Sequence, residues 1–308
     1  MDVLAALIAI TLNAGTPLLL AAIGIVINER SGVVNLGTEG MMLVGAVVAF
    51  GVTLASGQYW IGFLAGAVAG ALLASLFAAL AVGLMTNQFA TGLALALFGA
   101  GISTFIGTTV QGDTLPGRMA DGVPILRELA FVGPALFAHH WMVYASLALA
   151  GTVAWFLFAT RSGLVLRAVG ESPESAHALG YPVRRIRWAA LAFGGACAGL
   201  AGAYLSTIYT PLWSEGIVAG RGWIALALVT FATWRPGRVL LGSYLFGGVT
   251  MLQFYLQGAG IDIPAQWLAM TPYIATIVVL VLISRDPRWI RLNMPAALGK
   301  AFSPHGLP

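Results

Sequence analysis

Apolar runs about as long as a membrane is thick make up most of this chain, and short polar breaks separate them. A helix needs about 20 mostly apolar residues to cross the hydrocarbon core of a bilayer. Hydrophobic residues make up 59% of the chain and charged residues 8%, against about 25% charged residues in soluble globular proteins. We predict an all-α polytopic membrane protein with about nine transmembrane helices (eight to ten), the seventh being short: 3–27, 40–56, 60–86, 89–111, 142–160, 188–208, 222–234, 239–257 and 266–284.

Small residues accompany these runs. The chain has 39 glycines, and small residues let transmembrane helices approach each other closely. Gly62, Gly66 and Gly70 are spaced four residues apart, as are Gly195 and Gly199. For any single pair, the general abundance of glycine is the better explanation.

The basic residues predict an orientation. The longest polar break, 161–187, carries arginines at 161, 167, 184, 185 and 187, and basic loops of membrane proteins stay on the cytoplasmic side. With 161–187 in the cytoplasm, alternation of the spans brings further basic residues to that side: Arg30, Arg235, Arg238, Arg285, Arg288, Arg291 and Lys300. We therefore predict an external N-terminus and a cytoplasmic tail, 285–308. Since the net charge of +4 reflects these loops, the predicted surroundings are membrane lipid and not nucleic acid.

Within 161–187, residues 172–180 carry the end signals of one short helix. Ser172 is a good N-cap, Pro173 suits the first helical position and Glu174 suits the first turn. Gly180 can end the helix in the left-handed conformation. A short capped helix between two spans indicates a surface presented to a partner; the alternative is a solvated loop with an incidental helix.

Two polar breaks interrupt the apolar pattern at membrane depth, at 28–42 and 211–223. Each contains a Glu-Gly pair, Glu39–Gly40 and Glu215–Gly216, ahead of an apolar helix. Each break also follows the first helix of a group of four predicted spans. Such breaks are typical of the discontinuous helices that line substrate paths in transporters.

The order of the spans predicts an internal repeat. A single span, 142–160, links the two groups, 3–111 and 188–284. Because the linker is one span, the second group enters the membrane from the opposite side. We predict one transmembrane domain built as an inverted 4+1+4 repeat.

Glu39, Glu215 and Arg221 are the ionisable residues nearest to membrane depth. A charge there costs about 2.5–3.5 kcal/mol on insertion scales, so it usually faces a partner or a wet cavity. The functional interpretation is a solute path. Further residues could add hydrogen bonds and stacking surfaces to it: Asn35, Thr38, Trp213, Trp223, Gln253 and Gln257. The simpler interpretation, which we favour for both glutamates, is that each caps the helix that follows it. For the two tryptophans, anchoring at the membrane interface is an equal alternative.

Motifs for catalysis and for metal binding are missing from the sequence. There is no Walker A motif, so we predict no ATP site and no bound cofactor in this chain. Neither G-x-S-x-G nor H-E-x-x-H occurs, which argues against an intramembrane enzyme. His139 and His140 precede Trp141 and are better explained as an interfacial cap than as metal ligands. The spans are also nearly free of proton-carrying side chains, so the energy for transport has to come from another chain.

Four runs of the sequence together resemble a known family: INERSGVVNLGTEGMMLVGA, RAVGESPESAHALGYPVRRIRWAALAFGGACAGLAGAYLS, SEGIVAGRGWIALALVTFATWRP and NMPAALGKAF. The family is that of inner-membrane permeases of ATP-binding-cassette (ABC) importers of the ribose and branched-chain amino acid type. The SEG-x-x-AGRG-x-IALA pattern resembles its nucleoside-uptake branch. The resemblance implies a type II importer-like fold in a bacterial cytoplasmic membrane. It also implies three kinds of partner: a second, often different permease subunit, ATPase subunits that use ATP and Mg²⁺, and an extracytoplasmic solute-binding lipoprotein.

The resemblance also implies a role for the short helix, which corresponds to the loop that docks on the ATPase. The corresponding coupling residues are Gly170, Glu171, Ser172, Pro173, Glu174, Ala176, Ala178 and Gly180. The implied cargo is a nucleoside or nucleobase. Two alternatives stay open: a simple-sugar or branched-chain amino acid permease of the same family, and a secondary carrier or channel that needs no ATPase.

Overall fold

The computed structural model describes residues 2–115, 122, 132–258, 267, 270–271, 274, 277–278, 281 and 293–303. These residues form helices and connecting turns, and no strand occurs among them. The α-helices are α1 Asp2–Arg30, α2 Thr38–Ser56, α3 Tyr59–Ala78, α4 Gln88–Gly107, α5 Trp141–Ala159, α6 Arg161–Glu171, α7 Pro173–Ala178, α8 Val183–Tyr204, α9 Arg221–Phe231 and α10 Pro236–Gly258. Single π-helical turns extend α3 to Gly83 and α8 to Tyr209.

Seven helices in the described part of the chain are long and apolar enough to cross a membrane: α1, α2, α3, α4, α5, α8 and α10. The predicted short seventh span is α9, an apolar helix of 11 residues. The ninth predicted span, 266–284, lies mostly outside the described residues. The prediction of an all-α polytopic membrane protein is confirmed.

The polar break predicted at 161–187 is more helical than expected. It contains α6 as well as α7, and α8 begins at Val183, five residues before the predicted span. Arg187 therefore lies inside α8 and is 2% exposed. A hydropathy pattern counts every arginine as polar and so predicts it in a loop. An arginine can be buried where carbonyl groups accept its hydrogen bonds, and only the folded chain shows where those carbonyl groups lie.

The two predicted groups of helices pack reciprocally. The first helix of each group packs along the third helix of the other, α1 along α10 and α8 along α3. The first helix of each group also contacts the second helix of the other, α8 with α2 and α1 with α9. An inverted repeat predicts this exchange; the predicted fourth helix of the second group lies outside the described residues.

Glycines bring α8 to backbone distance from α2 and α3. A Cβ atom added to Gly199 would lie 2.1 Å from the Gly66 carbonyl oxygen, and one added to Gly195 would lie 2.4 Å from that of Gly70. On α2, a Cβ atom added to Gly45 would lie 2.5 Å from the Gly199 Cα. The explanation of these pairs by glycine abundance alone is therefore wrong, because the helices could not approach this closely with larger residues.

Replacing Gly199 by leucine is expected to destabilise the bundle, because the space is occupied by backbone atoms that cannot rotate away. Overpacking a core costs about 1–3 kcal/mol, and occasionally more. The matched control is Gly151→Leu in α5, where an added Cβ atom meets nothing within 4 Å. Thermal unfolding of the purified variants checks this expectation. Equal unfolding temperatures for the two variants would contradict the close packing of α8.

Candidate functional site: a carboxylate joining two helix breaks, and a docking helix

The first helix break folds into a buried turn that starts α2. The side-chain oxygen of Asn35 accepts a hydrogen bond from the Gly37 N–H at 3.0 Å. The Thr38 hydroxyl donates to the Asn35 carbonyl at 2.9 Å. Asn35 and Thr38 are both almost fully buried. These two path candidates therefore shape the entry into α2 through bonds within the turn.

Glu39, in the first turn of α2, joins the two helix breaks. Its carboxylate accepts hydrogen bonds from the N–H groups of Gly220 at 2.8 Å and Gly222 at 2.7 Å, where α9 begins. A helix N-terminus presents unpaired donors and favours negative charge. A side chain at position 222 would block the approach, since a Cβ atom there would lie 2.7 Å from the Glu39 Cα. We call these three residues the carboxylate junction.

The junction corrects the expectation for Glu39. The sequence favoured a cap on α2, the helix in which Glu39 itself lies. The carboxylate caps α9 instead, which belongs to the other predicted group of helices. The two helix starts are far apart in the chain, so only the packing of the two repeats brings them together.

Arg221 lies beside the junction as the first residue of α9. Its guanidinium donates to the carbonyl groups of Ile217 at 3.3 Å and Val218 at 3.2 Å, and it lies 5.6 Å from the centre of the Tyr209 ring. Arg221 and Tyr209 line a cavity of about 20 Å³ against α1 and α10. Because a cavity of about this size holds one water molecule, a solute passes this point only if the surrounding helices separate.

The second Glu-Gly pair has different surroundings. Glu215 is exposed, and its carboxylate accepts a hydrogen bond from the Thr104 hydroxyl of α4 at 3.3 Å. It does not cap α9, so that expectation is wrong.

Trp213 is buried against Gly107, where an added Cβ atom would lie 2.0 Å from the indole ring. Trp223 is 36% exposed. Its backbone N–H nevertheless bonds to the Glu39 carboxylate. Three of the predicted path residues, Glu39, Arg221 and Trp223, thus lie at the junction.

The short helix predicted at 172–180 is confirmed as α7. The Ser172 hydroxyl oxygen accepts a hydrogen bond from the Ser175 N–H at 3.2 Å, which is the predicted N-cap. At the other end, Gly180 has φ +87° and its N–H bonds to the His177 carbonyl at 2.8 Å. This left-handed glycine closes the helix in a Schellman arrangement.

The predicted coupling residues divide into a packed face and a free face. Buried against the protein are Gly170, Pro173 and Ala176; Ser172 is partly exposed; and exposed to solvent are Glu171, Glu174, Ala178 and Gly180. Leu179, which no sequence pattern singles out, is 78% exposed at the end of α7. Single exposed apolar residues are common on protein surfaces, but Leu179 follows directly on the helix for which the sequence predicts contact with a partner, which makes it a candidate contact residue. We call the exposed residues of this region the coupling face: Glu171, Glu174, Ala178, Leu179 and Gly180.

Buried arginines connect the helix ends on the side of α7. Arg187 donates to the carbonyl groups of Ser31 at 3.1 Å and Lys300 at 3.0 Å. Arg30 donates two hydrogen bonds to the Trp234 carbonyl, at 3.1 and 3.2 Å. The basic segments that the sequence assigns to the cytoplasmic side therefore lie together at one end of the bundle. In the sequence these arginines are recognisable only as orientation signals, and their structural role becomes visible from the carbonyl groups that accept their hydrogen bonds.

His139 and His140 directly precede the start of α5, which is the end of that helix far from α6. The His140 ring accepts a hydrogen bond from the Met142 N–H at 3.3 Å and so caps α5, as the sequence predicted. The His139 ring bonds to the Ala135 carbonyl at 2.9 Å. Among the residues that the structure describes, no three His, Cys, Asp or Glu side chains come together as metal ligands.

Comparison with known families decides the class of this helical bundle. The family described as the permease component of branched-chain amino acid transport systems matches residues 7–283. The chain belongs to this permease family. The match includes both helix breaks and the coupling face, and it confirms the resemblance inferred from the sequence runs.

Relatives align with this permease over nearly its whole length. It is 40% identical to a putative glucose ABC transporter permease protein of Haloferax volcanii, over 98% of this chain and 99% of the relative. It is 34% identical to a nucleoside ABC transporter permease protein of Lactococcus lactis, over 94% and 91%. It is 33% identical to a guanosine ABC transporter permease protein of Bacillus subtilis, over 91% and 92%. The permease is thus a membrane protein of the ABC transporter permease class.

Proposed function

We propose that this permease forms the translocation path of an ATP-driven importer for nucleosides or nucleobases in a bacterial cytoplasmic membrane. The carboxylate junction carries the proposal of a path, because two helix starts from opposite repeats meet there. Transporters built from inverted repeats hold their substrates near such broken helices. The cargo is supported by the relatives named for nucleosides and guanosine, and by the SEG-x-x-AGRG-x-IALA pattern at 214–227.

Energy enters this permease at the coupling face. The chain has no ATP-binding motif of its own, so a partner ATPase that uses ATP and Mg²⁺ docks on α7. Closure of an ATPase pair moves the coupling helices of two permease subunits together, and the helices around the junction separate in response. The contacts of the two states differ, which is the requirement for coupling. A paralogous permease subunit and an extracytoplasmic solute-binding lipoprotein complete the importer.

Uptake by the reconstituted complex tests the cargo. Proteoliposomes with the ATPase and the binding protein are supplied with radiolabelled guanosine, adenosine, uridine, guanine, ribose or glucose. We expect ATP-dependent uptake of nucleosides or the nucleobase that exceeds uptake of both sugars. Equal uptake with and without ATP would contradict the importer and favour a secondary carrier.

A glucose-type sugar is the second candidate cargo. It is supported by the 40% identity to the putative glucose permease, which covers 99% of that relative. Nucleosides and sugars both carry a ring with several hydroxyl groups, so related permeases with different binding proteins can serve either. ATP-dependent uptake of glucose without uptake of any nucleoside or nucleobase would replace the first candidate by this one.

The orientation is a separate prediction. Because Arg30, Arg187 and Arg235 lie at the same end of the bundle as α7, the positive-inside rule assigns that end to the cytoplasm. A reporter fused after Pro308 that is active only in the cytoplasm is expected to be active, and one that is active only in the periplasm is expected to be silent. The reverse pattern would contradict the proposed orientation and the docking of an ATPase on α7.

A further inference from the structure

Residues 293–303, here called the tail segment, pack across the end of the bundle that carries α7. The Ala297 N–H donates to the Gly170 carbonyl at 2.9 Å, and the Gly299 N–H donates to the Gly32 carbonyl at 3.1 Å. The first bond reaches α6, next to the coupling helix. The second reaches the first helix break, which leads into α2. The tail segment therefore bridges these two parts of the chain through its backbone.

Lys300 adds two further connections through its carbonyl oxygen. Arg187 of α8 donates to it at 3.0 Å, and the Gln88 side chain of α4 donates to it at 3.4 Å. The Gln88 side-chain oxygen in turn accepts a hydrogen bond from the Val34 N–H at 2.9 Å. Val34 lies in the first helix break, five residues before Glu39. The tail segment is thus bonded to this break both directly and through Gln88.

Phe302 packs against the buried face of α7. It is 6% exposed and belongs to a separate apolar cluster with Val169, Ala176 and Val183. Its ring centre lies 5.6 Å from that of His177. Ala176 and His177 belong to α7, so α7 contacts the tail segment directly.

The start of the tail segment contacts the chain at the end of α1 and after the end of α9. The Asn293 carbonyl accepts a hydrogen bond from Arg30 at 3.1 Å, and its side-chain oxygen accepts one from Arg235 at 3.3 Å. Arg30 is the last residue of α1, and Arg235 follows the end of α9. The tail segment therefore contacts the chain that enters α2 and the chain that leaves α9, the two helices that Glu39 joins.

We propose that the tail segment is a positioning element that transmits the displacement of α7 to the carboxylate junction. This inference rests on the proposed function. The contacts run without a gap from α7 to Phe302, through residues 297–300 to the first break, and then into α2 and Glu39. Buried backbone groups keep their hydrogen-bond partners, so the break follows the tail segment when α7 moves. Phe302 acts through α7 and touches no solute.

The test measures solute transported per ATP hydrolysed in the complete reconstituted importer. For Phe302→Ala, and for a chain that ends at Pro295, we expect this ratio to fall about tenfold, within the range of allosteric coupling. ATPase binding and basal hydrolysis are expected to persist in Phe302→Ala, because this substitution leaves the exposed residues of the coupling face unchanged. The shortened chain also loses the hydrogen bond that the Ala296 N–H donates to Glu171 of that face at 3.3 Å. Phe302→Leu, which keeps an apolar contact, is expected to restore much of the ratio.

The matched control is a chain that ends at Ser303, which keeps every contact described for the tail segment and is expected to match the unaltered permease. A wild-type ratio in Phe302→Ala would overturn the proposal, and so would a fall fully explained by lost ATPase binding. The phenylalanine variants keep the test decisive if the shortened chain does not assemble. Absence of ATP-dependent uptake in the unaltered importer would instead contradict the proposed function.

An apolar groove of about 790 Å³ between α5, α6 and α8 supports a second, independent inference. Trp155, which lines it, is 64% exposed, so the groove opens towards the side of the bundle. It runs from Arg161 to Leu149, which is ten residues before the end of α5 and thus about 15 Å along the helix. That length is about half of the roughly 30 Å hydrocarbon core, or one leaflet.

Positive charge lies at the mouth of this groove. Arg161 lines it, and Arg185 lies one turn before Ala189, which lines the wall. Among the described residues that line the groove, none is acidic. We propose that it binds one anionic phospholipid, with an acyl chain along the apolar wall and the phosphate at the two arginines. Basic pockets between transmembrane helices bind anionic head groups in this way.

Native mass spectrometry of the delipidated importer, with added phosphatidylglycerol or phosphatidylcholine, tests the lipid site. We expect preferential retention of one phosphatidylglycerol, reduced about 30-fold in the double variant Arg161→Gln with Arg185→Gln, since each arginine contributes about 1 kcal/mol at a membrane surface and each 1.4 kcal/mol corresponds to about a tenfold change in affinity. Arg184→Gln, on the opposite side of α8, is the control and is expected to keep the preference. Equal retention of both lipids by the unaltered protein, or an unchanged preference in the double variant, would refute the site.

Discussion

Replacing Glu39 by alanine is expected to lower the free energy of unfolding by about 3 kcal/mol or more and to abolish ATP-dependent uptake. The substitution removes two hydrogen bonds to the N–H groups that begin α9, and hydrogen bonds to charged groups contribute about 1.5–3 kcal/mol each. Without the carboxylate, the starts of α2 and α9 lose the link between the two repeats. Thermal unfolding and uptake are measured on the same reconstituted protein.

Glu215→Ala is the matched control for stability, because Glu215 also precedes a glycine in a helix break. It is exposed and accepts one hydrogen bond of 3.3 Å from Thr104. Exposed substitutions usually change stability by less than about 0.5 kcal/mol. If both glutamate variants unfold at the same temperature, the junction does not hold the two repeats together.

Replacing Leu179 by aspartate is expected to weaken binding of the partner ATPase about 30-fold or more and to eliminate uptake. Leu179 is 78% exposed, so its replacement leaves the packing of the permease intact. A central apolar residue of an interface contributes about 2–4 kcal/mol, and each 1.4 kcal/mol corresponds to about a tenfold change in affinity. Aspartate also places an unpaired charge in that contact.

ATPase co-purification and ATP-dependent uptake check the Leu179 prediction. Leu179→Met, which keeps an apolar side chain of similar size, is the control and is expected to retain most activity. Capture of solute by the binding protein is expected to be unchanged, because the substitution alters the permease and not the binding protein. Uptake by Leu179→Asp at the level of the unaltered permease would rule out docking at this face.

The features that the sequence predicted correctly depend on neighbouring residues or on the membrane. The spans follow from the length of apolar runs relative to bilayer thickness. The coupling helix follows from Ser172 and Gly180, whose capping bonds reach only a few residues along the chain. The family also follows from contiguous runs. None of these requires knowledge of which helices touch.

The features that the sequence did not predict correctly depend on long-range contacts. Glu39 and Glu215 have the same local pattern, but only Glu39 reaches the start of α9. Arg187 resembles a loop arginine until Ser31 and Lys300 supply its acceptors. Leu179 is unremarkable in the sequence, because its exposure depends on how α7 packs.

The sequence by itself therefore determined an all-helical membrane permease with two helix breaks and one short capped helix between spans. Bilayer thickness, helix capping and family patterns act on contiguous residues. Only the tertiary structure decided that Glu39 joins the starts of α2 and α9 and that residues 293–303 connect α7 to the first break. Those contacts join residues far apart in the chain. Their hydrogen bonds exist only because packing of α1, α8 and their neighbours brings the donors and acceptors within reach.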